Sequence, residues 1–336
     1  MCIRDRHRIQ GAEPTCLALR TLGIFDFGNA SLLEFVKSTV LSFLDDPIVN
    51  VRQEAALTCC DLLEGHLVQG YQERNGPLPR RYCHANPRVS HGTLEVILGK
   101  LLMVAITDID PSVRTTVLMR FKDTSTFDKL LAQADMLQAS FNALNDEAFS
   151  VREMAIELVG RLAGLNPAYV LPALRRLLLQ LLTDLEYSTD SKHKEDSARL
   201  LGNLIDAAPR LVLPYVSPVL KSLVNKLKPQ AERQGMAEVA GSGETGVAIA
   251  VLSTIGKLAL VGGSLMRSHV PQLLPLLIGS LQDSSSAVRR DVAVSTMGDL
   301  IESTGYVVQP YTDLSLIHIS EPTRPLYISY AVFCLK

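Results

Sequence analysis

Apolar residues recur three and four positions apart along most of the chain, the spacing that places them on one face of a helix. One such run is Val151, Ala155, Leu158, Val159 and Leu162, and an earlier counterpart is Ala55, Leu57, Leu62 and Leu63. A further run, Val170, Leu174, Leu177, Leu178, Leu181 and Leu182, follows the first after a short polar break. Alternating Val/Ile/Thr stretches are scarce, and no Asn-Gly type turn joins two of them, so strand signals are nearly absent. The pattern predicts an all-α chain built from pairs of amphipathic helices.

The pairs repeat. A glycine is followed twelve residues later by a proline at Gly160 and Pro172, at Gly202 and Pro214, and at Gly298 and Pro310. The interval is 42 residues from Gly160 to Gly202, 54 from Gly202 to Gly256, and 42 again from Gly256 to Gly298. The extra length of the middle interval fits the polar, glycine-rich stretch at 229–246, which reads as a loop. A second marker is Asp followed six residues later by Arg, at Asp46 and Arg52, Asp108 and Arg114, Asp146 and Arg152, and Asp283 and Arg289. Each Asp falls at the expected turn and each Arg at the start of a second helix, where the two can hydrogen-bond between successive repeats.

A helix pair cannot bury its apolar faces alone, whereas stacked copies share a core between neighbours, which is the physics of an α-solenoid. A period near 42 fits the HEAT/armadillo type better than shorter helical repeats. It predicts about five to six helix pairs over residues 7–313. Prolines at 172, 214 and 271 are expected to kink the first helix of their pairs. At the last repeat the markers disagree: glycine spacing puts Arg290 opposite Arg152, and Asp spacing selects Arg289. The stretch at 73–92, rich in proline and basic residues, reads as a second long loop. The ends stand apart, since residues 1–6 (MCIRDR) and 314–336 resemble translated sequencing adapter and are set aside from the fold. The remainder is expected to be an internal piece of a longer protein.

Composition narrows the function classes. The 336 residues carry 33 Lys+Arg against 35 Asp+Glu, a formal net charge of −2, so bulk electrostatics supply no attraction to nucleic acid or anionic membrane. Hydrophobic residues at 47% are sufficient for a core. The apolar stretches at Leu177 to Leu182 and Leu273 to Ile278 are interrupted well before the roughly 18 residues that would span a bilayer, and no membrane helix is expected. Six irregularly spaced cysteines, with Cys59 and Cys60 adjacent, do not form a disulfide framework.

Candidate chemistry is sparse. Asp26-Phe27-Gly28 spells the tripeptide that holds catalytic magnesium in kinases, but the loops a kinase requires upstream are missing, so it reads as a turn. Cys83, His84 and His91 lack the paired spacing of a zinc site. Cys59 and Cys60 point about 100° apart on a helix, which suits packing at the core edge better than redox chemistry. Arg74, Arg80, Arg81 and Arg88 with Tyr82 form a basic loop, and Ser284-Ser285-Ser286 a polar turn. No catalytic, cofactor or metal site emerges.

Longer segments are more specific. ALRTLGIFDF, FDKLLAQADMLQASFNALNDEAFSVREMAIELVGRL, NPAYVLPALRRLLLQLLTDLE, KEDSARLLGNLIDAAPRL and LQDSSSAVRRDVAVSTMGDLIESTGYVVQPY resemble, in this order, the HEAT-repeat region of the target of rapamycin kinases. The similarity runs from about Leu17 to Tyr311, and the stretches at 73–92 and 230–243 depart from it. The resemblance implies a non-catalytic scaffold segment of a serine/threonine kinase of the phosphatidylinositol-3-kinase-related family. Its partners would be a second copy and raptor-like subunits in nutrient and growth signalling, in the cytoplasm or held by partners at endomembranes, lysosome or vacuole. ATP and magnesium would belong to a catalytic domain outside this segment. The alternative is a free-standing HEAT adaptor of the phosphatase-scaffold or transport-receptor type.

Overall fold

In a computed structural model, which describes residues 3–25, 32–75, 87–227, 242–283 and 285–305, the chain consists of helices joined by short turns, and no strand occurs among those residues. The chain divides into two compact units, Met1–Val170 and Leu171–Lys336.

The first unit opens with α1 (Ile3–Ile24), which includes four residues of the adapter-like N-terminus. Three helix pairs follow. The first is α2 (Leu32–Ser38), with the 3-10 turn Val40–Asp45, against α3 (Val49–Asn75). The second is α4 (Pro87–Thr107) with α5 (Pro111–Asp123), and the third α6 (Asp128–Leu131) and α7 (Ala134–Ala143) with α8 (Phe149–Leu162). Second helices pack in series, α1 on α3, α3 on α5 and α5 on α8, while α2 packs on α4 and α4 on α7. The apolar stripes meet between these two rows. Val151, Ala155, Leu158, Val159 and Leu162 of α8 are buried, as are Phe121 and Phe127, whose rings meet edge to face at 5.8 Å. Leu57 and Leu182 are only half-buried, because each lies beside rather than within its stripe, and Ala56, Cys59 and Cys60 are buried in the α3 stripe instead.

The division between units falls within α9 (Pro167–Tyr187). Beyond it come α10 (Ser191–Ala207), then α11 (Pro209–Val212), the 3-10 turn Leu213–Tyr215 and α12 (Val216–Leu227), then α13 (Ser242–Gly262). The 3-10 segment Gly263–His269, α14 (Val270–Leu281) and α15 (Ala287–Thr304) complete the described chain. Again the second helices stack, α10 on α13 and α13 on α15.

Two of the three prolines expected to kink a first helix lie outside a helix interior. Pro172 lies inside α9, Pro214 falls in the 3-10 break between α11 and α12, and Pro271 occupies the first turn of α14, where a missing N–H costs no helical bond. Pro310 lies outside the described residues. Helix also extends into both expected loops, with α3 running to Asn75, α4 starting at Pro87 and α13 starting at Ser242.

The most apolar stretch is Thr245–Leu281, long and apolar enough by composition to cross a membrane and missed by inspection of shorter runs. In the fold it is two helices broken at Gly263, whose φ of 49° is in the left-handed region open to glycine. Most of it is buried, with α13 seated between α10 and α15, so the apolar character serves the core.

Candidate functional site: the seams between repeats

Each Asp of the Asp/Arg marker ends a first helix, and its carboxylate accepts the backbone N–H two residues ahead, shaping the turn. The bonds are Ile48 to Asp46 Oδ1 at 2.8 Å, Asp110 to Asp108 Oδ1 at 2.8 Å, Ala148 to Asp146 Oδ1 at 2.8 Å and Ser285 to Asp283 Oδ1 at 2.9 Å. The Arg that follows folds back to the carbonyl of its own Asp: Arg52 to Asp46 O at 2.9 Å, Arg114 to Asp108 O at 2.6 Å and Arg152 to Asp146 O at 2.9 Å.

For Arg52 and Arg114 the rest of the guanidinium reaches the next repeat. Arg52 donates from Nε and Nη2 to both oxygens of Asp108, at 2.8 and 2.9 Å, and Arg114 donates from Nη2 to Asp146 Oδ1 at 2.9 Å. Asp46, Arg52, Asp108, Arg114, Asp146 and Arg152 therefore form one continuous ladder in the first unit. Both inter-repeat rungs are buried, with side chains 12% and 6% exposed in the first and 5% and 8% in the second. Arg52 engages its partner as a two-pronged fork, the stronger geometry for a carboxylate. Arg114 uses one prong and leaves its Nε buried without a hydrogen bond.

In the last pair the register resolves by role. Arg290 donates to the Asp283 carbonyl at 2.8 Å, the bond that Arg52, Arg114 and Arg152 make, so Arg290 is their counterpart, one residue displaced by a longer turn. Arg289 instead pairs with the Asp283 carboxylate at 2.9 Å. Ser285 Oγ and N–H, and secondarily Arg289, hold that carboxyl below the usual carboxylate range. Ser286 caps α15 by accepting the Arg289 N–H at 3.2 Å.

The glycine marker lies in the second helices, Gly160 in α8, Gly202 in α10 and Gly298 in α15. A side chain on Gly202 would sit 3.1 Å from Thr254 Oγ1 and 3.2 Å from Lys257 Cδ, and one on Gly256 would collide with the Asp299 carboxylate. The same close approach carries a hydrogen bond that sequence reading missed. Thr58 Oγ1 donates to Leu19 O at 2.9 Å, Thr254 to Ala198 O at 2.8 Å and Thr296 to Leu252 O at 3.0 Å. Each acceptor lies four residues before a glycine, Gly23, Gly202 or Gly256, so the bare backbone admits the threonine of the next helix. The recurring Thr-x-Gly of 254–256 and 296–298 was the available signal.

Arg161 was also missed. It donates to Phe121 O at 2.6 Å, Thr124 O at 3.0 Å, Asp128 Oδ1 at 2.7 Å and the Lys122 carbonyl, tying α8 to the end of α5. Arg120 pairs with Asp61, and Lys122 with Glu157 at 3.3 Å, adding charged contacts to the same row.

Nothing here has the makings of a catalytic centre. Cys59 and Cys60 are free and buried, and burial pushes the Cys60 thiol up to about 12 and Cys59 further, so both are held as thiols. No metal-binding group of His, Cys, Asp or Glu occurs among the described residues. Asp26-Phe27-Gly28, Cys83 and His84 lie outside those residues, and of His91 only the backbone, in α4, is described.

Stacked helix pairs, turn carboxylates bridged by arginines and close glycine seams define a HEAT-type all-α solenoid protein, and a HEAT-like repeat family model matches residues 247–312. The crystal structure of importin beta in an ammonium sulfate condition shares this fold, with a TM-score of 0.57 and 15% identity over 90% of this chain and 35% of its own. In sequence the chain is similar to the target of rapamycin (TOR) serine/threonine kinases along nearly its whole length. It is 44% identical to serine/threonine-protein kinase TOR of Arabidopsis thaliana over 92% of its residues, and 38% identical to serine/threonine-protein kinase tor1 of Schizosaccharomyces pombe over 95%. It spans only 12% and 13% of those proteins, a HEAT-repeat portion and not a kinase domain.

Proposed function

We propose that this chain is a scaffold portion of a TOR-type serine/threonine kinase, which holds partner subunits in place for signalling that couples nutrient state to growth. The similarity to TOR proteins along more than nine-tenths of the chain carries this reading. The buried ladder fits it, because a surface that positions partners must keep successive repeats in fixed register. Raptor-like subunits and a second copy of the kinase are the partners this reading names. The site of action is the cytoplasm, with attachment to endomembranes through those partners. ATP and magnesium serve phosphoryl transfer in a kinase domain and have no role in these helices. A free-standing adaptor is the weaker reading, since the likeness to importin beta, at 15% identity, is one of fold alone.

Sequencing the transcript beyond Tyr311 tests the proposal. The expected result is a reading frame that continues through further helical repeats into a kinase domain. A stop soon after Tyr311 would convert the chain into a separate adaptor. With the full-length frame in hand, Arg114→Ala should weaken co-purification of partner subunits while leaving the turnover of the folded kinase domain on a short peptide nearly unchanged.

A further inference from the structure

The net charge of −2 conceals a segregation in the second unit. Its first helices and their leading turns contain no Asp or Glu at 171–183, 207–227 or 258–282. They do contain Arg175, Arg176, Arg210, Lys221 and Arg267, all exposed, and none of the five makes an ion pair among the described residues. Among the described residues the unit's carboxylates sit elsewhere, at the end of α9, on α10, α13 and α15, and in the turns at Asp190 and Asp283. The corresponding elements of the first unit mix both signs, with Glu34, Asp45, Glu95 and Asp135 beside Lys37, Lys100 and Lys129.

Side-chain contacts bring three successive first elements of the second unit together. The Arg175 guanidinium lies 5.6 Å from the Tyr215 ring centre, joining α9 to the turn before α12. Ser217 Oγ lies 3.2 Å from His269 Nε2, joining α12 to the segment before α14. Stacking on Tyr215 restricts Arg175 and leaves its donor edge available to an anion. Cations on three adjoining elements, without an ion pair among the described residues, cost electrostatic self-repulsion, and neither the core nor the seams require them.

From this we infer that the basic face formed by α9, α12 and the Gly263–His269 segment docks an acidic segment of a protein partner, the carboxylates of Asp or Glu pairing with these arginines and Lys221. Adjoining helices lie about 9 Å apart, and an extended peptide advances about 3.3 Å per residue. A strand crossing the face thus meets successive cation groups at about every third residue. The guanidinium fork of Arg, which supplies four of the five cations, matches carboxylates in pairs of hydrogen bonds. A bilayer is the poorer match, because insertion uses aromatic anchors. The chain has no Trp, and no Phe lies between Leu171 and Gly305. The inference deepens the scaffold reading by giving the chemistry of one partner, and it rests on that reading only for the partner's being a protein.

The test uses the full 336-residue chain and a fluorescent peptide of repeated Glu-Leu-Ser triplets, with a Gln-Leu-Ser peptide as control. Anisotropy should show saturable binding of the Glu peptide alone, weakening with added salt as exposed pairs are screened. The double variant Arg175→Glu, Lys221→Glu alters only exposed positions and should retain its circular dichroism while losing affinity about tenfold, or roughly 1.4 kcal/mol. Lys37→Glu, on α2 of the first unit, should leave binding unchanged. Equal binding by the parent and the double variant would overturn the inference, as would equal weakening by Lys37→Glu or absence of binding. Sedimentation of the chain with phosphatidylserine vesicles, without peptide binding, would replace the protein partner by a membrane. None of these outcomes involves kinase subunits, so failure here leaves the scaffold reading to the transcript and co-purification results.

Discussion

The two units solve the same packing problem with different chemistry. In the first, buried charge braces successive repeats, through Arg52 to Asp108 and Arg114 to Asp146, with Arg120 to Asp61 between second helices and Arg161 to Asp128 within a pair, beside one close seam of Gly23 against Thr58. In the second, close seams recur, with Gly202 against Thr254 and Gly256 against Thr296, while the ion pair between second helices, Lys257 with Asp206, is largely exposed and the turn pair Asp283 with Arg289 is internal to a repeat. Where the facing helix carries a glycine, at Gly23, Gly202 or Gly256, a threonine hydroxyl of the next helix reaches its backbone carbonyl directly. One repeat period therefore accommodates two kinds of seam, and they should fail differently.

The largest expected effect is at Arg114. Arg114→Ala strands the carboxylate of Asp146 and the carbonyl of Asp108 in a buried site and should cost about 3–5 kcal/mol. Urea denaturation should then show the first unit unfolding ahead of the second. A single coincident transition would show that the seams of the two units are not energetically separate. Next is Gly202→Leu, which forces α10 from α13 and should cost about 1–3 kcal/mol, lowering the transition of the second unit. Arg161→Met, which keeps the stem and removes the four acceptors' donor, should cost about 1.5–3 kcal/mol and speed amide exchange at the end of α5.

Smaller effects sharpen the contrast. Thr296→Val should cost about 1 kcal/mol, read as a shift in the denaturation midpoint, since it removes one hydroxyl bond and keeps the shape. The smallest is at the turn pair. Arg289→Ala should cost under about 1 kcal/mol, because the pair is local and about a quarter exposed. The Asp283 carboxyl is held low in the folded chain, so it adds stability above its unfolded pKa, and that contribution is lost as pH falls through the folded value. Ser285→Ala removes the leading cause and should move the Asp283 titration upward in carbonyl NMR. A titration unmoved by that change would show that Ser285 does not hold the carboxyl.

Much of the fold was legible because its markers are punctuation. The turn aspartates stand a constant six residues before an arginine and the glycines recur at 42, 54 and 42 residues, and their types are dictated by backbone needs that any copy of the repeat shares. The arginine ladder was legible for the same reason, and the structure supplied its direction, Arg52 and Arg114 reaching forward to the Asp of the next repeat. Arg161 carried no such mark, since it lies beside Gly160 and its acceptors are backbone carbonyls 37 to 40 residues earlier in the chain. The Thr seam was half-visible as Thr-x-Gly but needed the neighbouring helix to give it meaning. Proline misled because its effect depends on where the helix begins. At the first turn, Pro271 removes a donor that had no partner.

The sequence by itself determined the helical class, the repeat period, the turn carboxylates and the relation to TOR kinases, because period and local backbone chemistry are written in one dimension. Only the tertiary structure decided which arginine fills the role at the last repeat, which seams are charged and which are close-packed, and that α9, the turn before α12 and the Gly263–His269 segment adjoin. Those depend on distances between residues tens of positions apart, and a net charge summed along the chain cancels what folding separates in space.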